Sequence, residues 1–365
     1  MKKKLKIIIP AVILVILIIG GSVAYAFLPH SLNYDIDSVE NIGSFVEVVS
    51  KSEDNVTIKL TENRNFKVLY FTDMHLDGKN KTSILTVTNL VDNIKKEKPD
   101  LVILGGDNVT SAFNKKRCNQ LAEIFENLGV YWAGILGNHE GDNKYSQTRS
   151  EMIEIFSSYE HCLMLEGIDD IWGDGNYTLD ILNYDNSHCE TFIFMDTGDE
   201  VLEDTKQEYG IPEDESPYDG VKTSQIEWYK QKMAETKETY GEVNSVVVVH
   251  IPLPQMKEQF ESQEFLYGDK RENICASGFD SGLFDAMKEV GTRAAFFGHD
   301  HLNDFGIEYE GILLGYMQPS GYGSYTSASK LGYEEKDWLQ GYMITELLPD
   351  GEFSCVHHRN SEDMK

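Results

Sequence analysis

The stretch VLYFTDMH, from Val68 to His75, places Asp-Met-His shortly after a run of four apolar residues. The same arrangement returns in LVILGGDN, from Leu101 to Asn108, and in YWAGILGNHE, from Tyr131 to Glu140. Short apolar runs that end in polar residues are typical of strands buried on both faces of a sheet. We predict three further buried strands: Thr191 to Met195, Val246 to Val249 and Ala294 to Phe297.

Segments with helical periodicity separate several of these strands, and most of them have Ser near the first residue, as is common at helix N-termini. The predicted helices are Ser83 to Lys96, Arg117 to Leu128, Ser146 to Ser158, Ser224 to Glu238 and Ser281 to Val290. Alternation of buried strands and helices is the order of a layered α/β fold. We therefore predict that fold class for the main domain, residues 66–365.

Two other regions have a distinct pattern. Phe45 to Val49 and Val56 to Leu60 alternate apolar and polar residues, which predicts a short β-hairpin within a lead-in segment of residues 30–65. The segment from Asp199 to Asp219 is rich in Asp, Glu, Pro and Gly and is predicted to form a surface loop.

Four lysines, at positions 2, 3, 4 and 6, precede an uncharged stretch from Ile7 to Leu28. A helix of that length is long enough to cross a hydrocarbon core of about 30 Å. Ala24-Tyr25-Ala26 has the small-x-small form of a signal peptidase site. We interpret residues 1–29 as either a transmembrane anchor or a signal peptide. Both interpretations place the main domain outside the cytoplasm, at the cell membrane or secreted.

The composition excludes some classes of protein. Lys and Arg number 32 and Asp and Glu 61, which gives a net charge of −29. Such an acidic chain is not expected to hold the phosphate backbone of a nucleic acid. The five cysteines are scattered and contain no CxxC pair, so neither a disulfide framework nor a zinc knuckle is predicted.

Polar clusters follow the predicted strands, and the loops at the carboxyl ends of strands in an α/β sheet converge on one crevice. These clusters contain seven potential metal donors: Asp73, His75, Asp107, Asn138, His250, His299 and His301. Imidazole and carboxylate donors without cysteine suit manganese, iron, zinc or cobalt. Seven donors exceed the four of a structural zinc site but divide over two ions if one carboxylate bridges. We therefore predict two divalent or mixed-valence ions as cofactors.

Five motifs follow one another along the chain: DxH, GD, GNHE, a strand-end His and GHxH. This series resembles the motifs of the calcineurin-like metallophosphoesterase superfamily, over about residues 66 to 320. Four short segments are similar to sequences of its small purple-acid-phosphatase-like branch. They are HIPLP, SGLFDA, GHDHLND and SGYGSY, and they begin at residues 250, 281, 298 and 320. That branch includes the yeast dosage-dependent cell-cycle regulator phosphatase. The resemblance implies a four-layer α/β/β/α sandwich of two mixed sheets flanked by helices.

The resemblance also implies a role for each donor. One ion is held by Asp73, His75 and His301, the other by Asn138, His250 and His299, and Asp107 bridges them. His139 then faces the substrate as a general acid or a phosphate-orienting group, while Glu140 closes its loop or caps the following helix. Thr110 stands where purple acid phosphatases have tyrosine and where related protein phosphatases have an aspartate that pairs with the catalytic histidine. Another group must therefore tune His139.

The resemblance implies a metal-dependent phosphoesterase, and the N-terminal segment implies that it is exported. We favour a phosphomonoesterase that hydrolyses a small phosphorylated substrate by in-line attack of a metal-bridging hydroxide. A phosphodiesterase acting on nucleotides or lipid head groups is the alternative, because the same dinuclear site serves both reactions. The intact Asp73, Asp107, Asn138 and His139 argue against a third hypothesis, a non-catalytic surface protein that keeps the fold.

Overall fold

The computed structural model describes residues 32–362 except 78–79, 113, 143–144, 216, 327–333, 335–336 and 350. In chain order its strands are β1 (Val46–Lys51), β2 (Asn55–Leu60), β3 (Phe66–Phe71), β4 (Leu101–Gly105), β5 (Tyr131–Ile135), β6 (Tyr177–Leu182), β7 (His188–Phe194), β8 (Ser245–Val248), β9 (Phe265–Tyr267), β10 (Ala294–Phe297), β11 (Gly306–Tyr309), β12 (Ile312–Tyr316), β13 (Gly341–Leu347) and β14 (Phe353–Arg359). The α-helices are α1 (Asn80–Glu97), α2 (Lys115–Leu128), α3 (Arg149–Ser157), α4 (Glu203–Tyr209), α5 (Thr223–Tyr240), α6 (Pro254–Gln259) and α7 (Leu283–Val290).

The strands form two mixed sheets. The larger has the order β1-β2-β6-β7-β8-β10-β12-β11-β9, and β7, β8, β10 and β12 run parallel at its centre. The smaller has the order β14-β13-β3-β4-β5, in which β3, β4 and β5 are parallel and β13 pairs antiparallel with β3. Parallel strands at the centre of each sheet bring the loops after β3, β4, β5, β8 and β10 to the same end of the fold.

The two sheets pack face to face, and helices cover their outer faces. Tyr70 of β3 contacts Phe192 of β7 and Phe296 of β10, with ring centroids 6.4 Å and 5.5 Å apart. Buried apolar side chains of α1, α2 and α3 share a core with the smaller sheet, and those of α5 and α7 form a second core with the larger sheet. The predicted sandwich of two mixed sheets flanked by helices is confirmed.

Two of the expected elements have a different setting from the one the sequence suggested. The hairpin β1–β2 forms, with Val46 opposite Leu60, but β2 also pairs parallel with β6, so the hairpin extends the larger sheet. The segment 199–219, predicted to be a loop, contains helix α4. Glu203 and Asp204 lie in its first turn, where their negative charges interact favourably with the helix dipole. The helix ends at Gly210, which has a φ of 67°.

The predicted transmembrane helix, and with it the expected membrane attachment, must be corrected. Across the described ranges, no helix combines the length and the apolar character needed to cross a bilayer. The uncharged stretch from Ile7 to Leu28, on which the prediction depended, lies outside the described residues.

Candidate metal centre

All seven predicted metal donors lie in the loops that follow β3, β4, β5, β8 and β10. Each is at most 6% exposed. Four of them offer ligand atoms that lie within 4.8 Å of one another, and all four are buried: Asp73, His75, Asp107 and His301. The structure therefore brings together side chains that are separated by up to 228 positions, from Asp73 to His301.

The backbone at these positions adopts an unusual conformation. In the described part of the chain seven non-glycine residues have positive φ, and four of them are predicted donors: Asp73 (54°), His75 (44°), Asp107 (52°) and His299 (77°). Such left-handed residues cost free energy and persist only where the surrounding structure holds them. Here the N–H groups of Asp73 and His75 donate to the carbonyls of Gly106 and Asp107, at 3.0 and 2.8 Å, and so join two donor loops.

Glycines let these loops approach one another. Gly106 has φ 97°, and a Cβ there would collide with the ring of His250. A Cβ at Gly137 would collide with the carboxylate of Asp107. The glycines of the GGD and GNH motifs are therefore required by close approach of the backbone to the donors.

One group of donors surrounds the first candidate ion position. His75 Nε2 lies 3.0 Å from His301 Nε2 and 3.3 Å from Asp107 Oδ2, and His301 Nε2 lies 3.3 Å from Asp73 Oδ1. Two ligand atoms bound at about 2.1 Å from one ion are about 3.0 Å apart at a right angle and about 3.4 Å apart at the tetrahedral angle. The observed separations fit a common ion.

A second group adjoins the first through Asp107. Asp107 Oδ2 lies 3.4 Å from His250 Nε2 as well as 3.3 Å from His75 Nε2, so one oxygen reaches both groups. Asn138 Oδ1 lies 3.1 Å from His250 Nε2 and 2.8 Å from His299 Nδ1. These separations also match ligands of one ion, with Asp107 placed between the two positions.

The donor set has the chemistry that two cations require. Asp107 Oδ2 is buried and faces His75 Nε2 and His250 Nε2 at 3.3 and 3.4 Å without a well-formed hydrogen bond, which is unusual for a buried polar atom. Burial alone would raise the pKa of Asp107, but the neighbouring His250 and His75 outweigh it and hold that pKa well below the usual range. The chain therefore presents an ionised carboxylate with an unsatisfied oxygen between the two groups, which fits a bridging ligand.

Neighbouring groups fix the orientation of two donor rings. The Nδ1–H of His250 donates to the carbonyl of Gly105 at 2.8 Å, which leaves Nε2 to face Asp107 and Asn138. The ring of His301 stacks on Tyr325, with centroids 4.2 Å apart and planes 13° apart.

His139 borders the donor cluster without belonging to it. Its backbone N–H donates to Asp107 Oδ1 at 2.8 Å, and its ring centroid is 5.5 Å from that of His75. Its Nδ1 lies 2.6 Å from Asp142 Oδ2. The side chains of His139 and Asp142 are 43% and 49% exposed. Asp142 therefore supplies the carboxylate partner that Thr110 cannot supply. Asp142 was not identified from the sequence, although it lies only three positions from His139.

The electrostatic surroundings favour the protonated form of His139. Burial lowers the pKa of this imidazole, but the charge of Asp107 and the hydrogen bond to Asp142 outweigh burial, so its pKa is raised above the ordinary value. A histidine with a raised pKa carries its proton at higher pH, as a general acid must.

Two further residues shape the GNHE loop. The carboxylate of Glu140 accepts the N–H groups of Gly137, Asp107, Asn108 and Val109 at 2.8, 3.1, 2.5 and 3.4 Å, so Glu140 closes the loop as expected. Arg149, at the start of α3, donates to the carbonyls of Gly137 and Leu136 at 2.6 and 3.2 Å and pairs with Asp196. Arg149 follows no motif, so only the folded chain identifies it.

The donor cluster borders a solvent-open groove through His75. The residues that line it are His75, Asp77, Thr110, His139, Asp142, Gly323 and Ser324. Among the described residues that line the groove there is neither Lys nor Arg, and His139 is the lining residue outside the donor set that can offer favourable charge to a phosphate.

Known proteins are similar to this chain. In Arabidopsis thaliana, "Probable inactive purple acid phosphatase 14" is 29% identical over 79% of this chain and 77% of that protein. "Probable inactive purple acid phosphatase 29" from the same organism is 28% identical over 76% of this chain and 77% of that protein. Among solved structures, a dimetal phosphatase from Danio rerio covers 80% of this chain and 98% of that chain, at 14% identity and a TM-score of 0.46.

A family model described as "Calcineurin-like phosphoesterase" matches residues 66–303, which is well over half of the chain and includes all seven donors. This range begins at the first residue of β3 and ends just after the GHxH motif. The chain therefore belongs to the calcineurin-like phosphoesterase family.

Proposed function

We propose that the protein is a metal-dependent phosphomonoesterase that acts on a small phosphorylated substrate. The observation that carries this proposal is the position of His139, which contacts the donor cluster through Asp107, is held by Asp142 and faces the groove. An ion-binding cluster with a proton donor at its open side is the arrangement that hydrolysis of a phosphate ester needs.

Each side chain has a distinct task in this proposal. Asp73, His75 and His301 would hold one ion, Asn138, His250 and His299 the other, and Asp107 both. When bound, the two ions supply positive charge at the phosphoryl oxygens and activate water for attack on phosphorus. Asp142 engages Nδ1 of His139, so the Nε2 edge of the ring is the one available to give a proton to the departing ester oxygen.

Manganese, iron, zinc or cobalt is the proposed metal, because imidazole nitrogens and carboxylate oxygens suit these ions. With a net charge of −29, the chain offers little general attraction to an anionic substrate. Two divalent ions would neutralise Asp73 and Asp107 and leave positive charge at the mouth of the site. Binding of phosphate is therefore proposed to depend on the metal.

The relatives whose names include the word inactive raise the question of whether this chain is an enzyme. Our proposal that it is active is supported by the complete set of seven donors, the unsatisfied Asp107 Oδ2 and the hydrogen bond between His139 and Asp142. The strained backbone at four donor positions is a further feature that is typical of functional sites.

Hydrolysis of a substrate panel tests the proposal. The purified full chain is freed of metal, reconstituted in turn with manganese, iron, zinc and cobalt, and assayed with alkyl and aryl phosphomonoesters and phosphodiesters. We expect monoester hydrolysis with at least one metal and none without metal. A folded chain that binds two ions but releases no phosphate from any monoester would overturn the proposed activity.

We further propose that the domain acts outside the cytoplasm, in keeping with the cluster of lysines before the uncharged stretch from Ile7 to Leu28. Protease added to intact cells that express the full chain should then digest residues 66–365. If the domain is digested only after lysis, this location is wrong. The mass of the mature chain reports separately whether a segment ending near Ala26 is removed.

A further inference from the structure

The second candidate ion position takes its donors from both sheets. His250 and His299 follow β8 and β10 of the larger sheet, whereas Asn138 follows β5 of the smaller sheet. Asn138 Oδ1 lies 3.1 Å from His250 Nε2 and 2.8 Å from His299 Nδ1. The second position therefore depends on holding the GNHE loop, which carries Asn138, against the larger sheet.

Arg149 connects that loop to the larger sheet. Its guanidinium donates through Nη1 to the carbonyl of Gly137 at 2.6 Å and through Nη2 to the carbonyl of Leu136 at 3.2 Å. Gly137 immediately precedes Asn138. The Nε of Arg149 donates to Asp196 Oδ2 at 3.1 Å, and Asp196 lies two residues after the end of β7 in the larger sheet. One planar side chain thus joins the backbone beside a donor to a strand end of the other sheet.

Asp196 is itself held in place. Its carboxylate accepts the backbone N–H groups of Asp174 and Gly198, both at 2.9 Å, and its side chain is 2% exposed. Its own N–H donates to Asn176 Oδ1 at 3.1 Å. Asp196 is therefore a fixed anchor, and the position of the Arg149 guanidinium is determined from the larger sheet.

Helix stability does not explain why an arginine stands at position 149. Arg149 is the first residue of α3, and Thr148 and Glu151 already form a capping box at this helix end. A positive charge in the first turn of a helix opposes the helix dipole. A buried ion pair also loses hydration, so it need not stabilise the fold. The carbonyls and the carboxylate that Arg149 joins account for its position instead.

We propose that Arg149 and Asp196 form a positioning pair that sets the affinity of the second ion position by fixing Asn138. This inference rests on the proposed metal-dependent function, and it concerns the binding of an ion rather than the chemical step. Without the guanidinium, the two carbonyls before Asn138 lose their common donor, and the loop is no longer tied to Asp196. Groups that orient metal ligands typically contribute about 10- to 100-fold to metal affinity.

The first ion position should depend less on this pair. The loop after β3 contacts the larger sheet directly, because the carboxylate of Asp73 accepts the backbone N–H of His299 at 3.0 Å. The N–H of Asp73 also donates to the carbonyl of Gly106 at 3.0 Å. These contacts do not involve Arg149. A loss confined to one ion is therefore the signature of the positioning role, whereas a general loosening of the fold would weaken both ions.

Arg293 provides a matched control at the opposite end of the same strand. It pairs with Glu190 of β7 and donates to the carbonyl of Gly351, in the turn between β13 and β14 of the smaller sheet. The side chains of Arg293 and Glu190 are 19% and 0% exposed, against 17% and 2% for Arg149 and Asp196. Both arginines thus join a buried carboxylate to a backbone carbonyl across the sheets, but of the two only Arg149 does so beside a metal donor.

Titration of the metal-free full chain with Mn²⁺ or Zn²⁺, followed by calorimetry, tests the inference without turnover. The wild-type chain should bind two ions. Arg149→Met should raise the Kd of one ion by about 10- to 100-fold and leave the other within about threefold. Arg149→Lys keeps the charge but loses the planar fork, so it should cause a smaller rise. Arg293→Met and Arg293→Lys should leave both Kd values within about threefold, even where they lower the Tm.

Two further backgrounds identify the ion that is affected. His75→Ala weakens the first position, and adding Arg149→Met should then raise the Kd of the remaining ion by about 10- to 100-fold. His299→Ala weakens the second position, and there Arg149→Met should leave the remaining ion within about threefold. If Arg149→Met does not fold, Arg149→Lys and Arg293→Lys are compared in the same backgrounds.

Three results would overturn the inference and leave the proposed function in place. They are unchanged Kd values in the Arg149 variants, an equal loss of both ions, and a loss that the Arg293 variants share. A wild-type chain that binds neither ion would overturn the inference together with the proposed function. A wild-type chain that binds two ions but hydrolyses no phosphate ester would count against the proposed function alone.

Discussion

The buried donors and the His139–Asp142 pair differ in how the fold holds them. The seven donors are at most 6% exposed and their loops are joined by backbone hydrogen bonds, whereas His139 and Asp142 are nearly half exposed. The donors are therefore fixed before a substrate arrives, because they lie where two sheets and several loops meet. The exposed pair contacts solvent and the groove, so we expect its contribution to turnover to vary with pH and with the leaving group.

The strongest test removes the carboxylate shared by both groups of donors. Asp107→Asn should reduce turnover by more than about 10⁴-fold, because weaker binding of both ions removes charge stabilisation and water activation together. Metal analysis should show loss at both positions, while His75→Ala should chiefly affect one. A reconstituted wild-type chain that is fully active with one ion would contradict the assignment of Asp107 as a bridge.

Replacement of His139 tests the exposed side of the comparison. His139→Ala should keep both ions and lower turnover by about 10²- to 10⁴-fold, the range for a positioned acid. The loss should be larger for an alkyl phosphate than for an activated aryl phosphate, whose departing oxygen needs little protonation. Steady-state rates on both substrates measure this difference. Equal slowing on both would leave His139 a phosphate-orienting residue and exclude the general-acid role.

Metal should stabilise the folded chain, because the donors converge only after folding. At a metal concentration of about 100 times Kd, one site adds about 2.7 kcal/mol to the free energy of unfolding. In thermal unfolding, the Tm should therefore be higher with manganese or zinc than without them. The Asp107→Asn chain provides the control and should show a smaller rise. If the wild-type chain shows no rise at saturating metal, the donor cluster does not bind these ions.

The smallest expected effect concerns the partner of His139. Burial lowers the pKa of His139, and the charge of Asp107 and the hydrogen bond to Asp142 outweigh burial and raise it. Bound cations would offset the charge of Asp107, so Asp142 is the partner that would keep this pKa raised in the metal-loaded enzyme. A raised pKa keeps the acid protonated to higher pH, so activity should fall as pH rises through it. Asp142→Asn should move this basic limb of the pH–rate profile to lower pH by about one unit, with up to about tenfold loss above it.

Thr110→Asp in the Asp142→Asn background sharpens this test, because Thr110 lines the same groove as His139. An aspartate at position 110 should move the basic limb back toward higher pH if His139 needs only a nearby carboxylate. A profile that is identical in the wild-type and Asp142→Asn chains would show that Asp142 does not tune His139.

The sequence predicted β3, β4, β5, β7, β8 and β10, because apolar runs of four or more residues mark strands buried on both faces. It did not predict β12, which pairs with β10, because its apolar run from Ile312 to Leu314 is shorter. Ala294–Phe297 was predicted with the bounds that the structure gives. Strand β6 was missed because Asp180 interrupts its pattern, and this buried carboxylate is satisfied only in the folded chain, by Asn55 of β2 and Thr191 of β7. Strand β14 was missed because its apolar and polar residues lie at a half-exposed sheet edge.

The sequence by itself determined which residues offer metal donors and that they meet, because donor chemistry belongs to the side chain and strands of a parallel sheet end on one side. Only the tertiary structure decided which groups support them. Three contacts of this kind are Asp142 with His139, Arg149 with the GNHE loop and Tyr218 with His299. They arise from loop conformation and from packing between segments that are far apart or irregular. No repeating pattern encodes such contacts, so they are visible only once the chain has folded.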